Sequence, residues 1–187
     1  MKKRTFIPEY INQFCKTVKL AGCQTDKLLE IFTVLNKINN NNSVHVFGNG
    51  GSASIASHFS MDLTNNSSIR CLNYNDPAII TCYSNDFKYE NWVSRAIKKY
   101  GKKKDILILI SSSGKSKNMI NGIKEAKKKK FHKIITFTAF DKQNFLNKNG
   151  DINFWVSSKE YNIIENTHQF FLLMLVDMFK KFNNKKI

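Results

Sequence analysis

The chain reads as an α/β protein: a three-layer sandwich with a five-stranded parallel sheet flanked by helices. Two observations predict this. Short β-branched runs alternate with helix-length stretches, the pattern of strand–helix–strand crossovers. Two of those runs end in glycine- or serine-rich turns, and open parallel sheets present ligands beyond the carboxyl ends of their strands. The 187 residues are 42% hydrophobic, enough for a single domain with its own core. One unit is expected over 1–187, with a leading helical pair over 1–42 and a sheet-and-helix core over 43–182.

Residues 7–40 read as two helices broken near "AGCQTDK". Leu20, Leu28, Leu29, Ile31, Phe32, Val34 and Leu35 give them a broad apolar face. A polar turn at Asn39–Asn42 ends the pair, and the period then changes. "SVHVFG" (43–48), "IRCLNY" (69–74), "DILILI" (105–110), "KIITFT" (133–138) and "INFWV" (152–156) read as buried strands. Helices are predicted at about 52–64, 88–100, 117–130 and 161–182, and Asp76-Pro77 is an N-cap followed by a first-turn proline. Right-handed crossovers follow. The terminal "KKFNNKKI" reads as frayed.

Composition excludes several classes. No run of eighteen apolar residues predicts a membrane span. The basic start "MKKRTFIPEYINQF" lacks the apolar segment of a signal peptide. Cys15, Cys23, Cys71 and Cys82 show no CxxC spacing, which argues for reduced thiols and a cytoplasmic chain. The formal charge of +16 invites a nucleic-acid reading. Only Arg4, Arg70 and Arg95 among the 30 basic residues are arginine, however, and base readers favour arginine. Lysine clusters at predicted helix ends and turns are ordinary solvated charge, so no nucleic-acid partner is expected.

Chemistry concentrates in two loops and two helices. "SSSGKS" (111–116) opens a helix after an apolar strand; its hydroxyls and free backbone N–H groups suit an anion, and Gly114 permits the tight turn. A serine cluster that merely caps the helix is the plain alternative. "GNGGS" (48–52) is not a dinucleotide fingerprint: GxGxxG is absent, and the next strand ends near Asn73 and Asn75 rather than in an acid. On the following helix His58 and Asp62 stand four apart and share a face; on the last helix Glu165 and His168 stand three apart. Such pairs serve as acid–base groups or metal ligands, or are simple helix-surface contacts.

"GNGGSASIASHFSMDL", "SND" (84–86), "ISSSGKSKN" and "IIENTHQFFLLML" resemble the sugar-isomerase (SIS) domain of the phosphoheptose isomerases, and the likeness runs through nearly the whole chain. The resemblance implies a homotetramer with active sites near subunit interfaces. It also implies conversion of sedoheptulose 7-phosphate to a heptose 7-phosphate, on the way to activated heptose for lipopolysaccharide or capsule. By the same resemblance Ser52, Ser111, Ser113 and Ser116 hold the phosphate. Asn49 and Asp86 contact the sugar together with Gly50, Gly51 and Glu165, and Ser112 stands where the family often has threonine.

The sequence departs from the family at three places. The family's base is a glutamate; here the position is Asp62. Its glutamine near the end is Glu165, and its second, catalytic histidine is Leu173. The expected catalytic groups are therefore Asp62, Glu165 and His168, and the expected zinc ligands are His58, Asp62 and Glu165. The alternative is a non-catalytic SIS protein that binds a sugar phosphate or a protein such as a replication initiator.

Overall fold

A computed structural model describes residues 3–182. Of the frayed end expected at 180–187, Lys180–Phe182 continue the last helix, and 183–187 lie outside the described residues. Two helices lead, α1 (Lys3–Gly22) and α2 (Thr25–Asn36). The strands are β1 (Val44–Gly48), β2 (Cys71–Asn73), β3 (Ile106–Ser111), β4 (Lys133–Thr138) and β5 (Ile152–Trp155). Between them run α3 (Gly51–Asn66), α4 (Pro77–Phe87), α5 (Trp92–Tyr100), α6 (Lys117–Lys128) and the short α7 (Phe145–Asn149), and α8 (Tyr161–Phe182) closes the chain. The Asp76 carboxylate caps α4 as expected, accepting from the N–H groups of Ala78 and Ile79. The helix expected at 88–100 begins instead with a 3-10 turn at Tyr89–Asn91.

All strands are parallel, in the order β2-β1-β3-β4-β5. The chain runs outward from β1 to β2, then returns to β1's other side as β3. That reversal is the topological switch point, where the crevice of such a sheet opens. The register pairs Gly48 with Ile110, so the two motif loops leave the sheet side by side.

Alternation along β3 divides the core between two faces. Ile106, Ile108 and Ile110 join the cluster built with α2, α3 and α8; Leu107 and Leu109 join the one built with α5 and α6. The free edge of β5 is sealed by α2 and the residue before it. Gln24 donates to the Trp155 carbonyl at 2.8 Å and accepts from its N–H, imitating a strand partner, and the Lys27 ammonium donates to the Asn153 carbonyl at 2.7 Å.

At the opposite end of the sheet from the motif loops, His45 Nε2 lies 2.8 Å from Asp105 Oδ2, both fully buried. Burial works against the charged carboxylate. Hydrogen bonds from His45, Asn42 and the backbone N–H groups of Lys102 and Ser43 outweigh it and bring the Asp105 carboxyl down to about 2. The lysine clusters flank this end, Lys102–Lys104 in a turn and Lys127–Lys128 in the last turn of α6, exposed as expected.

Candidate active site

The first wall of the crevice is the loop after β3. Ser111 ends the strand, and its hydroxyl lies 3.4 Å from that of Ser116. Ser116 is the N-cap residue of α6 but makes no side-chain cap bond; the Ser111 hydroxyl is its hydrogen-bond partner. Ser113 accepts from the Lys115 N–H. Ser112 is buried, and its hydroxyl has no protein partner. Gly114 has φ +60° and is packed against the Asn144 side-chain amide, where a Cβ would collide with it. Asn144 is fixed in turn by donating to the Asp141 carbonyl at 2.7 Å and capping α7 through the Asn147 N–H. The sequence reading missed Asn144, since nothing local to "DKQNFL" announces that it buttresses a loop thirty residues earlier.

The second wall is the loop after β1. Gly50 takes φ +54° to turn the chain into α3, and Ser52 is buried in that helix's first turn. Gly51 lies close under α8: a Cβ there would meet the Glu165 carboxylate and push that side chain aside. Glu165 thus rests on the backbone that opens α3, and burial holds its carboxyl above the usual range. Asn49 forms a reciprocal amide pair with Asn118, 3.1 and 2.8 Å, and also accepts from the Tyr89 hydroxyl at 3.1 Å. Asp86 lies on the exposed surface of α4, where it accepts from its neighbour Asn85.

Along α3 and α8 the structure unites some of the expected residues and separates others. His58 Nε2 lies 3.2 Å from Asp62 Oδ2, one helical turn away, an ion-pair contact with side chains 42% and 26% exposed. Gln169 of α8, also missed from sequence, brings its amide Nε2 to 3.4 Å from His58 Nδ1. Glu165, Gln169 and Leu173 recur at four-residue spacing and so share one stripe of α8. His168 belongs to another. It is fully buried, donates through Nε2 to the Thr138 carbonyl at 3.2 Å and stands edge-on to Phe137. Burial first, only partly opposed by that hydrogen bond, lowers its pKa to about 4. The expectation of His168 as a catalytic group is corrected accordingly: three-residue spacing from Glu165 turned it into the core, not toward the crevice.

The expected metal set is likewise not assembled. Among the described residues no three His, Cys, Asp or Glu side chains gather at metal-holding spacing. His58 and Asp62 meet, but Glu165 rests on Gly51 and a neutral amide takes the place beside His58. This donor arrangement does not fit a three-ligand zinc site.

A switch-point crevice with a serine loop on one side and an acid-bearing helix pair on the other defines a class. The SIS domain family model matches residues 9–139, and the chain belongs to that family. Relatives of the chain include phosphoheptose isomerases. That of Thermodesulfovibrio yellowstonii is 33% identical over 141 residues, 72% of this chain and 69% of that one. That of Glaesserella parasuis is 44% identical over 99 residues, 50% of this chain. This match spans only about half of the relative's length, 51%. In fold, a phosphoheptose isomerase from Francisella tularensis superposes with a TM-score of 0.87 at 24% identity, covering 97% of this chain and 100% of that one. Vibrio vulnificus NanR, solved in complex with ManNAc-6P, shares the fold at a TM-score of 0.67 and 12% identity, over 91% of this chain and 60% of that one.

Proposed function

We propose that the chain is an aldose–ketose isomerase of phosphorylated sugars, with sedoheptulose 7-phosphate as the substrate to test first. The supporting observation is the placement of the Glu165 carboxylate on the first turn of α3, at the same crevice the serine loop borders. The phosphate sits among Ser52, Ser111, Ser113 and Ser116, where hydroxyls and the N-termini of α3 and α6 favour an anion. Asp62, oriented by His58, takes the proton from the carbon beside the carbonyl while Glu165, kept protonated more readily by burial, gives one to the carbonyl oxygen, and the enediol forms. The neighbouring hydroxyl then gives its proton back to Glu165 as Asp62 returns a proton to the former carbonyl carbon. Asp86 and the free N–H of Asn49 meet sugar hydroxyls. The product feeds activated-heptose synthesis for a surface polysaccharide, in the cytoplasm; among the described residues no helix is long and apolar enough to cross a membrane.

The assembly proposed is a homotetramer. Phe6, Ile7 and Ile11 are exposed along the first half of α1, and Leu29 and Phe170 on α2 and α8. A helix with this much uncovered apolar surface is matched by a second copy of the chain. Light scattering at micromolar concentration checks this, and a monomeric mass contradicts it.

One observation favours a second reading. Leu173 stands where the family has its second histidine, so a sugar-phosphate binder without turnover is the competing function. A coupled assay with sedoheptulose 7-phosphate, ribulose 5-phosphate and fructose 6-phosphate separates the two. Turnover of one supports the enzyme; binding without turnover of any supports the binder.

A further inference from the structure

Asn49, expected to hold the sugar, is largely engaged by the protein itself. Its Oδ1 accepts from Asn118 Nδ2 at 2.8 Å and from the Tyr89 hydroxyl at 3.1 Å, filling both acceptor positions. Its Nδ2 donates to Asn118 Oδ1 at 3.1 Å, leaving one N–H free. Asn118 is 2% exposed, in the first turn of α6, two residues after Ser116. Among the described residues, this amide pair is the only side-chain hydrogen-bond link between the loop after β1 and the segment running from Ser111 into α6. One turn further along the same face, Asn121 donates to the Glu90 carbonyl and to Asn91 Oδ1, anchoring the turn that carries Tyr89. Asn49, Tyr89, Glu90, Ser116, Lys117 and Asn118 line a cavity of about 350 Å³ beside the serine loop.

We infer that Asn118 is a positioning residue of this site. With Tyr89 it clamps Asn49 and thereby fixes the separation of the two loops that grip one phosphate. The inference rests on the reading of those loops as a phosphate site. Two loops share an anion well only if their spacing is set before it arrives; otherwise binding must order them. Apolar packing lets loops slide, whereas a reciprocal amide pair has one register. Removing one partner strands a buried amide on the other, which opens the clamp instead of leaving it idle.

The test titrates inorganic phosphate into ¹⁵N-labelled wild type, Asn118→Ala, Asn49→Ala, the double variant and Tyr89→Phe, following the amides of Ser52, Ser113 and Ser116. Phosphate moves those amides in wild type. Each alanine variant weakens phosphate about tenfold, roughly the effect of one lost buried hydrogen bond. The double variant is no weaker than either single one, because the two act as a unit. Tyr89→Phe, at a half-exposed ring, weakens it about twofold to threefold. Wild-type amides that move with phosphate, together with an Asn118→Ala affinity within about twofold of wild type, overturn the clamp alone. So do losses that multiply in the double variant. Wild-type amides that ignore phosphate overturn the phosphate site and the clamp together. If Asn118→Ala fails to fold, an unchanged affinity in Tyr89→Phe overturns the clamp and a weakened one supports it.

Discussion

The two walls of the crevice are held very differently. The serine wall is built into the fold: Gly114 is pinned by Asn144, Asn144 by Asp141 and Asn147, and Asn118 locks the facing loop. The acid–base wall rests on a half-exposed 3.2 Å pair and a 3.4 Å contact between side chains of two helices. The first is the rigid wall, closed by buried contacts, and the second the soft wall, held by two longer contacts that solvent reaches. In such a molecule, changes to the soft wall act on rate, and changes to the rigid wall act on affinity and stability.

The largest effect belongs to the soft wall. Asp62→Asn keeps shape and a hydrogen bond but removes the base, so kcat falls about 10²–10⁴-fold while KM changes little. A KM rise with unchanged kcat would reverse the comparison. Glu165→Gln follows. It restores the amide the family uses but removes a protonatable group, and a loss in kcat of about tenfold to a hundredfold is expected if Glu165 delivers the proton. An unchanged kcat assigns Glu165 to substrate holding instead.

On the rigid wall, Gly114→Ala forces a side chain into left-handed backbone and into Asn144. It costs about 2 kcal/mol of stability, read as a lowered urea midpoint, together with a raised KM. Ser116→Ala removes a hydroxyl whose one protein partner is the Ser111 hydroxyl at a long 3.4 Å, so KM rises about threefold to tenfold with kcat and stability nearly unchanged.

The last prediction lies beneath both walls. His168 is neutral in the folded protein down to about pH 4 but titrates near 6.5 when unfolded. The unfolded chain therefore binds the extra proton between these values. Stability is complete above about pH 6.5 and falls as pH drops toward 4, by about 3 kcal/mol from this residue. Urea midpoints across that window in wild type and His168→Phe check it, the variant losing most of the slope.

Much of the fold was legible because parallel strands buried on both faces leave β-branched runs. "DILILI" became β3 within one residue, and Asp76-Pro77 placed α4. The position of the two loops was legible because each follows a β-branched run, and the register of Gly48 with Ile110 sets them side by side. The links across them were not. Asn118 meets Asn49 from 69 positions away, and Gln169 meets His58 from 111. Asparagine is so abundant in this chain that neither Asn118 nor Asn144 stands out. His168 was misassigned because three-residue spacing is compatible with both stripes of α8, and only packing against β4 chooses between them.

The central claim is that the soft wall removes and returns a carbon-bound proton. Incubating the protein with sedoheptulose 7-phosphate in D₂O and following the sugar by NMR tests it most directly. Deuterium entering the carbon next to the carbonyl, in recovered ketose and in aldose product, is the predicted result, abolished by Asp62→Asn and retained by Ser116→Ala. Tight binding of the sugar phosphate with no deuterium incorporated by wild type would contradict it.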